Sequence, residues 1–333
     1  MKQFRIVSQV SGWWRAFATV IASVLLISAS GAQDYPTRSI RIIVGTTPGG
    51  SNDIVARHLA PKLGELLGAQ FLVDNRPGAN GIIGTELVAK APADGYTIFL
   101  GSASYLVLNS LIYAKLPFDI INDFAGIASV ATTPEILAVN LSVPARSLKE
   151  LVQLAKAQPG KLDFASSGIG GLPHLAIELF KTAAEVDVGH VAYKGAAPAL
   201  TDLLGGQVKG FIIDFPVLYP HIKAGKIRGL AVLSERRASL LPDLPTSGEQ
   251  GLPTLLAVNW FGVLAPAKTP RSVVDTLHTA FSKAASAPEI KERLIDIGVE
   301  SMTSVSPEAF TRFQRDELAR WGKVVKQANV KAE

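Results

Sequence analysis

Two short stretches hold the residue types through which this chain could do chemistry, and both would act mainly through the backbone. The first is Thr46-Thr47-Pro48-Gly49-Gly50-Ser51-Asn52-Asp53, ahead of Ile54, Val55, Leu59, Leu63, Leu66 and Leu67 at helical spacing. The second is Ser166-Ser167-Gly168-Ile169-Gly170-Gly171, followed by Pro173 at a helix start and by Leu175, Ile177, Leu179 and Phe180. A glycine-rich turn that opens a helix leaves backbone N–H groups without intrahelical partners, a ready place for an anion. Phosphate fits poorly, because no lysine follows Gly50 as a P-loop requires and Gly45, Gly49 and Gly50 lack the dinucleotide spacing. A small carboxylate suits such donors; a plain tight connection between strand and helix is the competing reading.

The remaining side chains argue against catalysis. There is no G-x-S-x-G elbow, no pair of carboxylates on convergent loops and no cofactor fingerprint, so an enzyme would rest on Ser104 or Ser167 alone. No cofactor is expected. His174 and Glu178 stand four apart on one predicted helix, but with five histidines and no H-E-x-x-H pattern no metal is expected either. Zero cysteines exclude thiolate chemistry and disulfides. Asp53 reads as the acidic cap of the first helix, with an amine-binding role as the alternative. Tyr193 offers either a hydroxyl or a wall, and Lys194 reads as a solvated charge.

Positioning these stretches takes strands. Ile40, Ile42, Ile43 and Val44 form a β-branched run that predicts a buried parallel strand leading into the first turn. Strands over 71–73 and 97–100, with a turn at 74–78 and a helix over 81–91, complete three βα units and a parallel sheet with right-handed crossovers. That topology brings Gly101-Ser102-Ala103-Ser104 beside Gly49 and Gly50. Pro61, inside the first helix, predicts a kink or an irregular turn. Apolar runs at 126–131 and 136–139, separated by Thr132-Thr133-Pro134-Glu135, read as a crossover into a second lobe, where strand, glycine loop and helix start again. The stretch 258–265, carrying Trp260 and Phe261, reads as the return crossing, and two crossings make a hinge. The expected fold is therefore α/β and two-lobed, each lobe a mixed sheet flanked by helices. The leader is residues 1–32, the first lobe 33–131 with 257–333, and the second 132–256. The last helix, over 307–326, should pack on the first lobe through Phe310, Phe313, Trp321, Val324 and Val325.

At 333 residues, with 18% charged residues, the chain has the composition of a globular protein with a sizeable core. Lys2, Arg5 and Arg15, an uncharged apolar stretch over 16–33 and Ser30-Gly31-Ala32 make a secretory leader with cleavage after Ala32; a membrane anchor is the alternative. Its removal takes three basic residues and no acidic ones, so the net charge falls from +5 to +2. Neither that balance nor any basic run suggests nucleic acid.

The motifs PGGSNDIVAR, DNRPGANG, ADGYTIFLGS, PGKLDFASSG, YKGAAPALTDLLGGQV, AGKIRGLAVLSERR, LPDLPTSGEQGLP and NWFGVLAPAKTP, in this order, resemble the Bug family. These are TctC-type periplasmic substrate-binding proteins of tripartite tricarboxylate transporters. The resemblance implies a type II periplasmic-binding fold that holds a small organic carboxylate in its cleft and works, as a monomer, with two integral membrane subunits. A ligand-sensing subunit that reports to a signalling receptor is the alternative. Carried over by position, the ligand loops fall on Thr46–Asp53, on Ser102, Ala103 and Ser104, and on Ser166–His174 with Ser167, Gly168, Gly170 and Gly171. They continue on Tyr193–Pro198 with Gly195, Ala196 and Ala197, and Asp214 stands at the cleft edge. Thr46 and Thr47 stand where the family usually has an aromatic or proline, and Gly170 or Gly171 where it often has a hydroxyl, so the ligand is expected to differ from the familiar dicarboxylates.

Overall fold

The computed structural model describes residues 35–328 and 330–331, and the fold lies within Arg38–Glu333. The expected leader falls outside the described residues. Strand β1 (Ile40–Val44) has Ile40, Ile42, Ile43 and Val44 completely buried, as a strand covered on both faces requires. It pairs in parallel with β2 (Phe71–Asn75) and β3 (Thr97–Ser102). The expected parallel units are therefore present.

Strand β4 (Phe124–Asn140) joins everything else. Along its first part it runs antiparallel to β9 (Val258–Pro266), which in turn is antiparallel to β3. Beyond Pro134 it leaves β9 and pairs instead with β7 (Gly210–Asp214) and β8 (Ile227–Val232). Parallel strands β5 (Asp163–Ser166) and β6 (Gly189–Ala192) extend that second half beside β7. Each half is thus a mixed sheet, and β4 and β9 are the two crossing segments of a two-lobed α/β fold.

The polar spacer at 132–135 is part of this one strand and forms no turn. Thr132 and Thr133 are β-branched, and their hydroxyls donate to Asn259 O (2.8 Å) and Gly298 O (2.8 Å), which satisfies them without breaking the ladder. Pro134 falls opposite Val258, the last pair on β9, where the missing N–H costs least. β10 (Glu300–Ser301) also pairs with β4.

Helix Ser51–Leu67 continues through Pro61 and ends at Gly68, whose left-handed backbone (φ 66°) lets its N–H reach Gly64 O. After β3 the chain enters a wide helical turn, Ser104–Leu108, and a short helix, Asn109–Ile112. Its residues Ser104 to Asn109 are all buried, so no amphipathic period announced it. The last helix, Pro307–Ala328, lies over β9: Phe310 and Phe313 meet the Trp260 ring edge-on at 6.0 and 4.9 Å. Trp260 Nε1 and Trp321 Nε1 both donate to Glu317 Oε2, at 3.0 and 3.1 Å. Trp260, expected at the hinge, is thus the floor under this helix.

Candidate functional site

The turn after β1 is held by Asp53. Its carboxylate accepts from Gly49 N (2.9 Å), Arg57 Nε (2.8 Å) and Asn75 Nδ2 (3.0 Å), so it closes the loop back on the first helix. That is the capping role expected of it, extended to a neighbouring strand. Ser51, at the helix start, donates its hydroxyl to Asp214 on the other half.

The turn after β2 carries the strain. Gly78 (φ 127°), Ala79 (φ 45°), Asn80 (φ 47°) and Gly81 (φ 80°) follow one another in the left-handed region, two of them with a Cβ. Such a run persists only where surroundings over-determine it. Here Asn80 is locked by Asn109: Asn80 Nδ2 donates to Asn109 Oδ1 (2.8 Å), and Asn109 Nδ2 donates to Asn80 O (2.9 Å). Gly81 N–H donates to Gly78 O (3.0 Å), so the turn is closed internally, leaving the N–H groups of Ala79 and Asn80 outside that bond. Gly45 must also be glycine, since a Cβ there would lie 2.7 Å from Gly81 Cα.

The facing half is set by a serine and two histidines. Ser166 Oγ lies 2.6 Å from His190 Nε2, and Gly170 N–H donates to His174 Nδ1 (3.0 Å). The imidazoles of His174 and His190 stack at 3.9 Å, and burial lowers both pKa values to about 4, so both rings are neutral. This pair fixes the 166–171 loop from behind. Tyr193 donates its hydroxyl to Asp202 Oδ2 (2.6 Å), and burial, then Asp202, push its pKa up to about 12.

Between these loops lies a cavity of about 260 Å³. From one half it is walled by Gly45, the Gly78–Gly81 turn, Tyr105 and Tyr113; from the other by Ser167, Gly168, Ile169 and the Ala192–Gly195 turn with Tyr193 and Lys194. Of the residues expected at the site, Ser167, Gly168, Tyr193 and Gly195 line it. The Thr46–Asp53 loop, Ser102, Ala103 and Ser104, Gly170, Gly171 and His174, Ala196 and Ala197, and Asp214 are not among the residues that line this cavity.

Two of those others bridge the halves: Leu172 N–H donates to Ser104 Oγ (2.8 Å) and Ala197 N–H to Thr47 Oγ1 (3.4 Å). Within the first half, Ala103 N–H donates to Asn259 Oδ1 (3.2 Å). The turn at 78–81 was read only as a connection and the beginning of a helix. Pro77-Gly78 followed by Asn80-Gly81 is a doubled turn signal that could have singled it out.

Under the cavity a pair of acids sits where the strands cross. Glu135 on β4 is directly opposite Asp214 on β7, and both are buried. Burial, then the Asp214 charge, raise the Glu135 pKa well above the usual carboxylate range. Burial also raises Asp214, to about 6, against the opposing effect of hydrogen bonds from Ser51 and from Asn259 Nδ2 (2.7 Å). Neither oxygen of Glu135 meets ordinary hydrogen-bond geometry, although Asp214 is near enough to perturb it. A proton on Glu135 is what makes two carboxyls tolerable there. Among the described residues no group of three His, Asp or Glu side chains could hold a metal, and no helix is long and apolar enough to cross a membrane.

A cavity between two sheet halves joined by two crossing strands is the build of a two-lobed solute-binding protein. The chain belongs to the family described as tripartite tricarboxylate transporter family receptor, whose model matches residues 55–330. Protein BugT of Bordetella pertussis is 35% identical over 312 residues, covering 93% of this chain and 95% of BugT. A structure titled R. palustris Rpa4515 with adipate is 38% identical with a TM-score of 0.86, covering 89% of this chain and 99% of that one. MatC from Rhodopseudomonas palustris with bound malate is 28% identical with a TM-score of 0.82, covering 87% and 100%. The family is one of periplasmic binding proteins, so the chain is a receptor and not an enzyme.

Proposed function

We propose that the chain, once its leader is cleaved after Ala32, is a monomeric periplasmic receptor that closes its lobes on a small organic carboxylate and delivers it to two integral membrane transporter subunits. The observation that carries this reading is the cavity wall: the strained Ala79–Asn80 turn and the Ser167–Gly168 loop line it from the two halves, and none of the lining side chains is acidic. Such a wall attracts a carboxylate without a dedicated arginine. Adipate and malate, bound by relatives, support the ligand class.

The test is Gly168→Val. A Cβ at that position would stand 2.9 Å from Asn80 Oδ1, so the branched side chain would fill the space between the loops. Thermal shift with a carboxylate panel should show stabilisation of the wild type by mass action and none of the variant. Equal shifts in both proteins would place binding elsewhere. Uptake into vesicles holding the membrane subunits, with and without the receptor, tests delivery.

A further inference from the structure

The reading above leaves the body of the ligand undefined, and three tyrosines on the wall bear on it. Two of the hydroxyls are already engaged by protein and the third is fully enclosed. Tyr113 donates to Ile169 O (3.2 Å), Tyr193 donates to Asp202 Oδ2 (2.6 Å), and Tyr105 is buried beside Thr46. With the hydroxyls occupied or enclosed, what the three residues have left for a ligand is their rings, and Ile169 is a fourth apolar residue on the wall. The polar groups left for a ligand are concentrated in the facing loops, at the Ala79–Asn80 and Ser167–Gly168 segments. A ligand that fits has a charged head at the loops and an apolar body among the rings.

The wall also excludes an amine. An ammonium enclosed there would need a carboxylate on the wall; Asp53 is committed to Gly49, Arg57 and Asn75, Asp214 to Ser51 and Asn259, and burial favours the neutral, protonated form of Glu135. None of the three lines the cavity. Lys194 is the one cation on the wall, and it is exposed, so it raises the positive potential of the mouth without demanding a second anionic group inside.

Resting on the carboxylate-receptor reading, we propose that the ligand is an amine-free carboxylic acid with a flat aromatic body, its carboxylate on the backbone donors and its ring among Tyr105, Tyr113 and Tyr193. Ring-on-ring contact favours it over a linear chain of similar size, and the missing counter-charge disfavours acidic amino acids.

The experiment is isothermal titration of the mature protein with benzoate, phenylacetate, adipate and L-glutamate. An aromatic acid should bind at least about tenfold tighter than adipate or L-glutamate, the scale of one or two good ring contacts. Tyr193→Phe should keep aromatic-acid affinity within about twofold because the hydroxyl it removes serves Asp202, whereas Tyr193→Leu should lower it about tenfold and lower adipate affinity several-fold less. Adipate or L-glutamate binding as tightly as the aromatic acids overturns this inference and leaves the receptor reading standing. Saturable binding of none of the four overturns both. A loss of binding in Tyr193→Phe shows that the hydroxyl reads the ligand and removes the premise.

Discussion

Replacing Glu135 by Gln should stabilise the protein at neutral pH and do little in acid. In the wild type, two buried carboxyls face each other across β4 and β7 with no salt bridge to either among the described residues. Both are raised above their unfolded values, so the native state binds more protons than the unfolded one. Stability is therefore fully present below the unfolded pKa and falls as pH rises toward the folded one. For Asp214 the window runs from 3.8 to about 6, and a shift of about two units corresponds to ~3 kcal/mol lost across it. Glu135, also raised, adds a loss of the same sign.

Gln keeps the shape of the protonated acid, offers its amide N–H to Asp214 and removes the titration. Urea unfolding followed by tryptophan fluorescence should give Glu135→Gln an advantage on the order of 1 kcal/mol or more at about pH 7.5. Near pH 4 the two should agree within about 0.5 kcal/mol. His174 and His190, whose lowered pKa values remove stability as pH falls below their unfolded value, act equally in both proteins and cancel in the difference. A variant less stable than the wild type at pH 7.5, or a difference that does not change with pH, would refute a protonated Glu135 at this crossing.

Other outcomes follow from the same contacts. Asp53→Asn should cost roughly 1–3 kcal/mol by weakening its bonds to Gly49, Arg57 and Asn75, yet leave carboxylate affinity within about twofold where it still folds; a specific loss of affinity in titration would revive the ligand role. Gly262→Ala places a Cβ 2.2 Å from Phe310 Cζ and should lower stability by about 1–3 kcal/mol in urea, since the ring is fully buried under the last helix. Because both loop histidines stay neutral down to about pH 4, affinity measured between pH 5 and 8 should carry no titration from either; a midpoint near 6.5 that His190→Gln abolishes would contradict that.

The architecture was legible because its signals are periodic. Ile40, Ile42, Ile43 and Val44 announced a two-sided strand. The helix Leu148–Ala157 is capped by Ser147, whose Oγ accepts from Glu150 N–H at 3.1 Å. What failed to register was non-periodic. The segment Ser104–Asn109 is buried on every side, and the continuity of β4 depended on threonine hydroxyls finding carbonyls distant in sequence. At the site, the sequence located glycine loops but not which of them would face the cavity. Gly49-Gly50 and Gly78–Gly81 both follow parallel strands, and only the packing of Tyr105 against Gly81 and of Asn80 against Asn109 brings the second to the wall.

Several of the loop glycines do a job distinct from offering N–H groups. A Cβ on Gly168 would lie 2.9 Å from Asn80 Oδ1, one on Gly171 3.0 Å from the same atom and 3.3 Å from Ser104 Oγ, and one on Gly195 2.9 Å from Thr47. Each of these contacts spans the two halves, so the missing side chains set how near the loops can come. Gly171, whose φ of −75° suits any residue, separates the two roles: alanine there keeps the N–H and adds only a methyl group. Gly171→Ala should therefore weaken carboxylate binding about tenfold through incomplete closure, and Asn80→Ala in the same chain should restore part of it by vacating the space the methyl needs. Titration of the two single variants and the double variant measures the coupling. Simple additivity of the two losses would mean that the glycine serves its own loop and not the approach of the lobes.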